Sequence, residues 1–102
     1  MILAEFSIAP LDAGESLSEQ VAEALDIVDR SGVAYRLNPM GTVLEGEWSE
    51  VFGIIERCYQ AMRQHSRRVS IAIKVDAREG ASGRLDAKVA AVEQRLGRVL
   101  NK

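Results

Sequence analysis

The chain's 102 residues, 47% hydrophobic and 27% charged, have the usage of a folded globular protein and suffice for one domain over 1–102, without a large internal pocket. Thirteen Lys and Arg against fifteen Asp and Glu give a net charge of -2, and two Phe, two Tyr and one Trp are scattered, which argues against a nucleic-acid-binding surface. A single Cys58 and a single His65 exclude an internal disulfide and a Cys/His metal cluster, and no apolar run approaches the ~20 residues that span a bilayer, so the expected compartment is the cytoplasm.

At the N-terminus, Glu5 comes too early for the apolar region of a signal peptide. Residues Ile2 to Ala9 alternate, with Ile2, Ala4, Phe6 and Ile8 on one side and Leu3, Glu5, Ser7 and Ala9 on the other, the period of a half-buried strand that Pro10 ends. Ser16-Leu17-Ser18-Glu19 has the pattern of a capping box and opens a helix with an apolar stripe of Leu17, Val21, Leu25 and Val28. Ser31-Gly32 stops it, the glycine being free to take the left-handed conformation.

Val33 to Asn38 alternates again, and after Pro39-Met40-Gly41 so does Thr42 to Glu47, which predicts a hairpin. In its turn, Pro39 and Gly41 serve rigidity and backbone geometry; Met40 and Thr42 are not required by the turn and equally suit the apolar wall and hydroxyl of a ligand cleft. A second helix runs from about Trp48 to His65, since Val51, Ile54, Ile55, Cys58, Tyr59 and Met62 keep helical spacing. Trp48 reads as an anchor at its start, Cys58 as core, and His65 as a residue of the solvated helix end.

Val69, Ile71, Ile73 and Val75 alternate with Ser70, Ala72, Lys74 and Asp76 as a fourth strand. The loop through Gly80 and Gly83 lacks both the Lys-Ser/Thr of a P-loop and the third glycine of a dinucleotide fingerprint. Leu85, Val89, Val92, Leu96 and Val99 form the narrow seam of a third helix, suited to packing on its own domain or on a neighbour's helix.

The order β-α-β-β-α-β-α predicts an α+β, ferredoxin-like βαββαβ sandwich with an additional C-terminal helix. Two crossover helices then cover one sheet face and leave the other bare. The alternation places Glu5, Ser7, Arg36, Asn38, Val43, Glu45, Glu47, Ser70, Ala72, Lys74 and Asp76 on that bare face. Such residues form ordinary solvated surface or weak cross-strand ion pairs. Small residues among the charges also let a second sheet approach, so assembly into a homodimer through this face is expected.

Glu5-Phe6-Ser7-Ile8-Ala9-Pro10, Ser31-Gly32 and the run Pro39-Met40-Gly41-Thr42-Val43-Leu44-Glu45-Gly46-Glu47 together resemble the small thiamine-binding protein family, and the resemblance covers nearly the whole chain. It implies a ferredoxin-like fold, sheet-mediated dimers that commonly pair into tetramers, and binding of thiamine or its hydroxymethylpyrimidine half without catalysis. The ligand is a cation with an aminopyrimidine ring. A site for it would take Glu5 and Glu45 to receive the amine hydrogens and offset the charge, Ser7, Asn38 and Thr42 as hydrogen-bonding groups at the ring edge, and Met40 as a flat apolar contact. Catalytic residues, metal ligands and a resident cofactor are not expected. Two rival readings stand beside this one: an enzyme using two carboxylates as acid and base, and a regulatory or assembly module with a different small ligand or none.

Overall fold

In the computed structural model, which describes residues 1–12 and 18–102, the elements are β1 (Ile2–Pro10), α1 (Ser18–Arg30), β2 (Ala34–Asn38), β3 (Gly41–Gly46), α2 (Trp48–Arg63), β4 (Val69–Ala77) and α3 (Arg84–Leu96). The capping box expected at Ser16 lies outside the described residues. The strands form one antiparallel sheet in the order β2-β3-β1-β4, with β1 central between β3 and β4, which is the ferredoxin-like arrangement.

Alternation in the strands and helical spacing in α1 and α2 converge on one core. Ile2, Ala4 and Phe6 of β1 and Leu44 of β3 meet Ala24 and Val28 of α1 and Val51, Ile54, Ile55, Cys58 and Met62 of α2, all buried. Full burial of one such large aliphatic side chain is worth about 1.5–3 kcal/mol, so this layer holds the two helices on the sheet. Cys58 is fully buried, with its thiol 3.4 Å from the Ala24 carbonyl oxygen, and desolvation pushes its pKa up to about 11.

Gly32 ends α1 with φ +80°, as its position predicts. The third helix is shorter than its apolar seam: Gly97, at φ +71°, donates its N–H to the Glu93 carbonyl at 2.8 Å and closes the helix before Val99. In the same register, β3 ends at Gly46, and Glu47 is the extended residue preceding α2 rather than part of the sheet face.

The second sheet face is not bare, and here the structure corrects the sequence reading. The first turns of α3 are fastened across it. Arg36 of β2 donates to the Leu85 carbonyl at 3.1 Å and pairs with Asp86, while Asp76 of β4 holds Arg84 at 2.9 Å and Lys88 at 2.6 Å. Three of the charges projected onto that face, Arg36, Glu45 and Asp76, thus have a partner within the chain, the polar start of its own last helix. What remains open lies on β1 and β4, where Glu5, Ser7, Ser70, Ala72 and Lys74 are exposed.

Candidate ligand-binding cleft

The central strand is longer on one side than on the other. Pairing of β1 with β3 runs from Ile2 opposite Gly46 to Phe6 opposite Thr42 and stops, whereas pairing with β4 continues to Pro10 opposite Val69. Among the described residues, Ser7–Pro10 therefore have no strand on the hairpin side. The gap is a cleft of about 570 Å³ between the end of β1, the β2–β3 turn and α1. Its volume falls in the range of about 300–1,000 Å³ typical of small-molecule sites.

Phe6, Ile8, Val21, Ala24, Leu25 and Leu37 make the cleft apolar, and Ser7, Asn38, Met40 and Thr42 also line it. Four of the six expected site residues are thus brought together. Their settings differ: Thr42 is 5% exposed on the helix-covered side, opposite Phe6 and Leu37, whereas Met40 is 90% exposed at the turn and Ser7 is exposed at the rim. Asn38, half-buried, is the last residue of β2 and stands opposite Gly41.

Glu5, the fifth, lies on the open sheet face and leans over the hairpin. A Cβ at Gly41 would come within 3.2 Å of Glu5 Cγ and 3.3 Å of the Phe6 carbonyl oxygen, so a side chain there would crowd the glutamate and shift it by a few tenths of an ångström. Glu5 lines a smaller hollow of about 140 Å³ with Ser7, Met40, Ala72 and Lys74. Phe6, Ser7 and Met40 line both spaces, which makes them neighbours around the end of the hairpin.

Glu45 does not join this group. It is 6% exposed beneath α3, and its Oε2 accepts the backbone N–H of Arg84 at 2.8 Å. A carboxylate at the first N–H of a helix is favourable through both the hydrogen bond and the helix dipole. The sequence holds an indirect sign of this arrangement: Gly83, immediately before the helix, has no side-chain oxygen, so the cap must come from elsewhere.

Arg84 is the buried charge that sequence reasoning missed. At 6% exposure its guanidinium is held by the carboxylate of Asp76 at 2.9 Å and by the Asp76 carbonyl at 2.6 Å. Hydrogen bonds from Lys88 first, and then Arg84, hold the Asp76 carboxyl below its ordinary pKa. Of the residues set aside as non-ligands, His65, two residues past the end of α2, meets Glu23 of α1 at 2.8 Å, and Trp48, 57% exposed, stacks on Phe52 with ring centroids 4.6 Å apart.

Fold and cleft together define a small ferredoxin-like α+β protein with a ligand-sized opening beside its central hairpin. A family model described as thiamine-binding protein matches residues 4–93, and the chain belongs to that family. It is 41% identical over 96 residues to a UPF0045 protein of Mycobacterium bovis, covering 93% of this chain and 94% of the relative. A UPF0045 protein of Bacillus subtilis is 30% identical over 102 residues, covering 94% of this chain and 98% of its own length. The crystal structure of a hypothetical protein from Methanocaldococcus jannaschii superposes with a TM-score of 0.82 at 29% identity, covering 91% of this chain and 96% of that one.

Proposed function

We propose that the chain binds thiamine or its hydroxymethylpyrimidine moiety in the hairpin cleft and releases it unchanged. The observation that carries this reading is an apolar slot edged by Ser7, Asn38 and Thr42, with the Glu5 carboxylate just beyond its rim. Phe6, Leu37 and Met40 offer faces for a flat ring, the three polar side chains offer hydrogen bonds to its edge, and Glu5 offers a charge-assisted acceptor for an amine or a countercharge for the cation. Membership of the thiamine-binding protein family supports the choice of ligand.

The absence of turnover is part of the proposal. An acid–base pair would need Glu5 and Glu45 to face one substrate, but Glu5 leans over Gly41 while Glu45 is bound to the Arg84 N–H. We assign a second copy of the chain to the open sheet surface and to the apolar residues left exposed at the C-terminal end, Val92 and Leu96 of α3 and Val99 beyond it, which are 49%, 49% and 78% exposed. Titration calorimetry with thiamine and hydroxymethylpyrimidine tests the binding. Saturable binding weakened by Asn38→Ala and Thr42→Val, with each ligand recovered intact, is expected. No heat and no thermal shift with either compound would sink the reading.

A further inference from the structure

One contact past the end of β1 fixes which way each of its residues bonds. Beyond the last paired residues, Pro10 and Val69, the Leu11 N–H donates to the Arg68 carbonyl at 2.8 Å. In an antiparallel ladder, residues that exchange hydrogen bonds with a given neighbour alternate with residues that do not. Leu11, Ala9 and Ser7 therefore bond toward β4, and the residues between them turn their N–H and C=O groups toward β3. Ile2, Ala4 and Phe6 meet Gly46, Leu44 and Thr42 there. Ile8 meets no strand: continuing the register would set it opposite Met40, which the hairpin has carried into its turn.

Among the described residues, no turn or loop backbone bonds to Ile8 in place of the strand. Ile8 is half-buried and lines the hairpin cleft with Val21, Ala24 and Leu25 of α1. Its N–H and C=O point along the plane of the sheet into that cleft, and not out of the open face assigned to a second copy. Water can meet these groups while the cleft is open. An occupant that fills the apolar space must bond to them itself or leave them unpaired, which is costly.

The N–H and C=O of one extended residue present a donor and an acceptor side by side. The matching edge of a ligand is an acceptor beside a donor in one plane, such as a ring nitrogen next to an amine. An aminopyrimidine has that edge; a thiazolium ring has neither group. Resting on the thiamine-class reading of the cleft, we infer that the aminopyrimidine takes the place of the missing strand residue on β1, its ring nitrogen accepting the Ile8 N–H and its amine donating to the Ile8 carbonyl. Asn38 and Thr42 remain for the second ring nitrogen. The cationic ring then points to the rim, where Glu5 supplies its countercharge.

Amide hydrogen exchange on the full chain, read residue by residue by NMR, tests the pairing. Without ligand, the Ile8 amide is expected to exchange at least about tenfold faster than those of Phe6, Ser7 and Ala9, and saturating thiamine to slow it by about tenfold or more. Calorimetry supplies the second measurement. Thiamine should bind about tenfold more tightly than its analogue with an oxo group in place of the amine, which reverses the order of donor and acceptor. Proline is tolerated where a strand N–H has no ladder partner, so Ile8→Pro should weaken thiamine binding about tenfold more than Ile8→Val, which keeps the N–H. If Ile8→Pro does not fold, the exchange rates of the wild type decide. An Ile8 amide as protected as its neighbours without ligand, one whose exchange thiamine leaves unchanged, equal affinity for the oxo analogue, or equal losses in the two variants overturns the Ile8 pairing while thiamine binding stands. Failure of thiamine to bind at all overturns this inference and the reading beneath it.

Discussion

Glu45 Oε2 lies 2.8 Å from the backbone nitrogen of Arg84, so a carboxylate from the sheet closes the first turn of a helix that begins 39 residues later. That bond separates the two glutamates that alternation places on one face. Glu45 serves the fold, and in the proposed site the carboxylate contact falls to Glu5 alone.

The separation is testable by substitution. Glu45→Ala removes a helix cap and is expected to cost about 0.5–2 kcal/mol, read from urea unfolding. Thiamine affinity should stay within about twofold of wild type, while Glu5→Gln, which removes a charge-assisted acceptor, should weaken it by about tenfold. The opposite pattern would restore Glu45 to the site.

Gly41→Ala places a Cβ where Glu5 Cγ would be 3.2 Å away and the Phe6 carbonyl oxygen 3.3 Å away. The carboxylate can swing aside; the backbone oxygen yields less easily. Overpacking of this kind costs about 1–3 kcal/mol at the upper end of crowding. We expect a lowered Tm together with reduced thiamine affinity, and addition of Glu5→Gln should then reduce affinity little further. Additive losses in the double variant would show that Gly41 acts on binding by another route.

Asp76 gives the fold a pH dependence with a defined sign. Lys88 and Arg84 hold its folded pKa below the ordinary carboxylate value, so its contribution to stability is present above that ordinary value and is lost as pH falls through the folded one. Asp76→Asn should therefore be less stable than wild type at neutral pH, with the gap closing in acid below the usual carboxylate range. Urea midpoints measured across that range check the prediction; a gap that widened in acid would contradict it.

Much of the architecture was legible because each element carries its own period. The alternation of Ile2, Ala4 and Phe6, the spacing of Val51, Ile54, Ile55 and Cys58, and the Ser31-Gly32 stop each reflect local chemistry, and the structure keeps all three. The site was partly legible: Ser7, Asn38, Met40 and Thr42 do line one cleft. What alternation cannot express is where a strand loses its neighbour: it sets Thr42 on the helix side and Glu5 on the other, but not that β1 runs on past Phe6 without the hairpin and leaves a cleft there. Nor could it place α3, whose seam fits several surfaces; its seat is fixed by Arg36, Glu45 and Asp76, which come from three different strands.

The mismatch in length between the two ladders of β1 makes the hairpin a ruler. Its pairing ends at Phe6 and Thr42, and the next residue pair along would bring Ser7 against Gly41. A hairpin longer by one pair would close over Ser7 and Ile8 and seal the opening; a shorter one would widen it toward Glu5. The reach of the hairpin thus bounds the cleft together with the side chains that line it, and adding or removing residues, two at a time, at the turn around Met40 is a simple means by which this architecture could change the cleft's size.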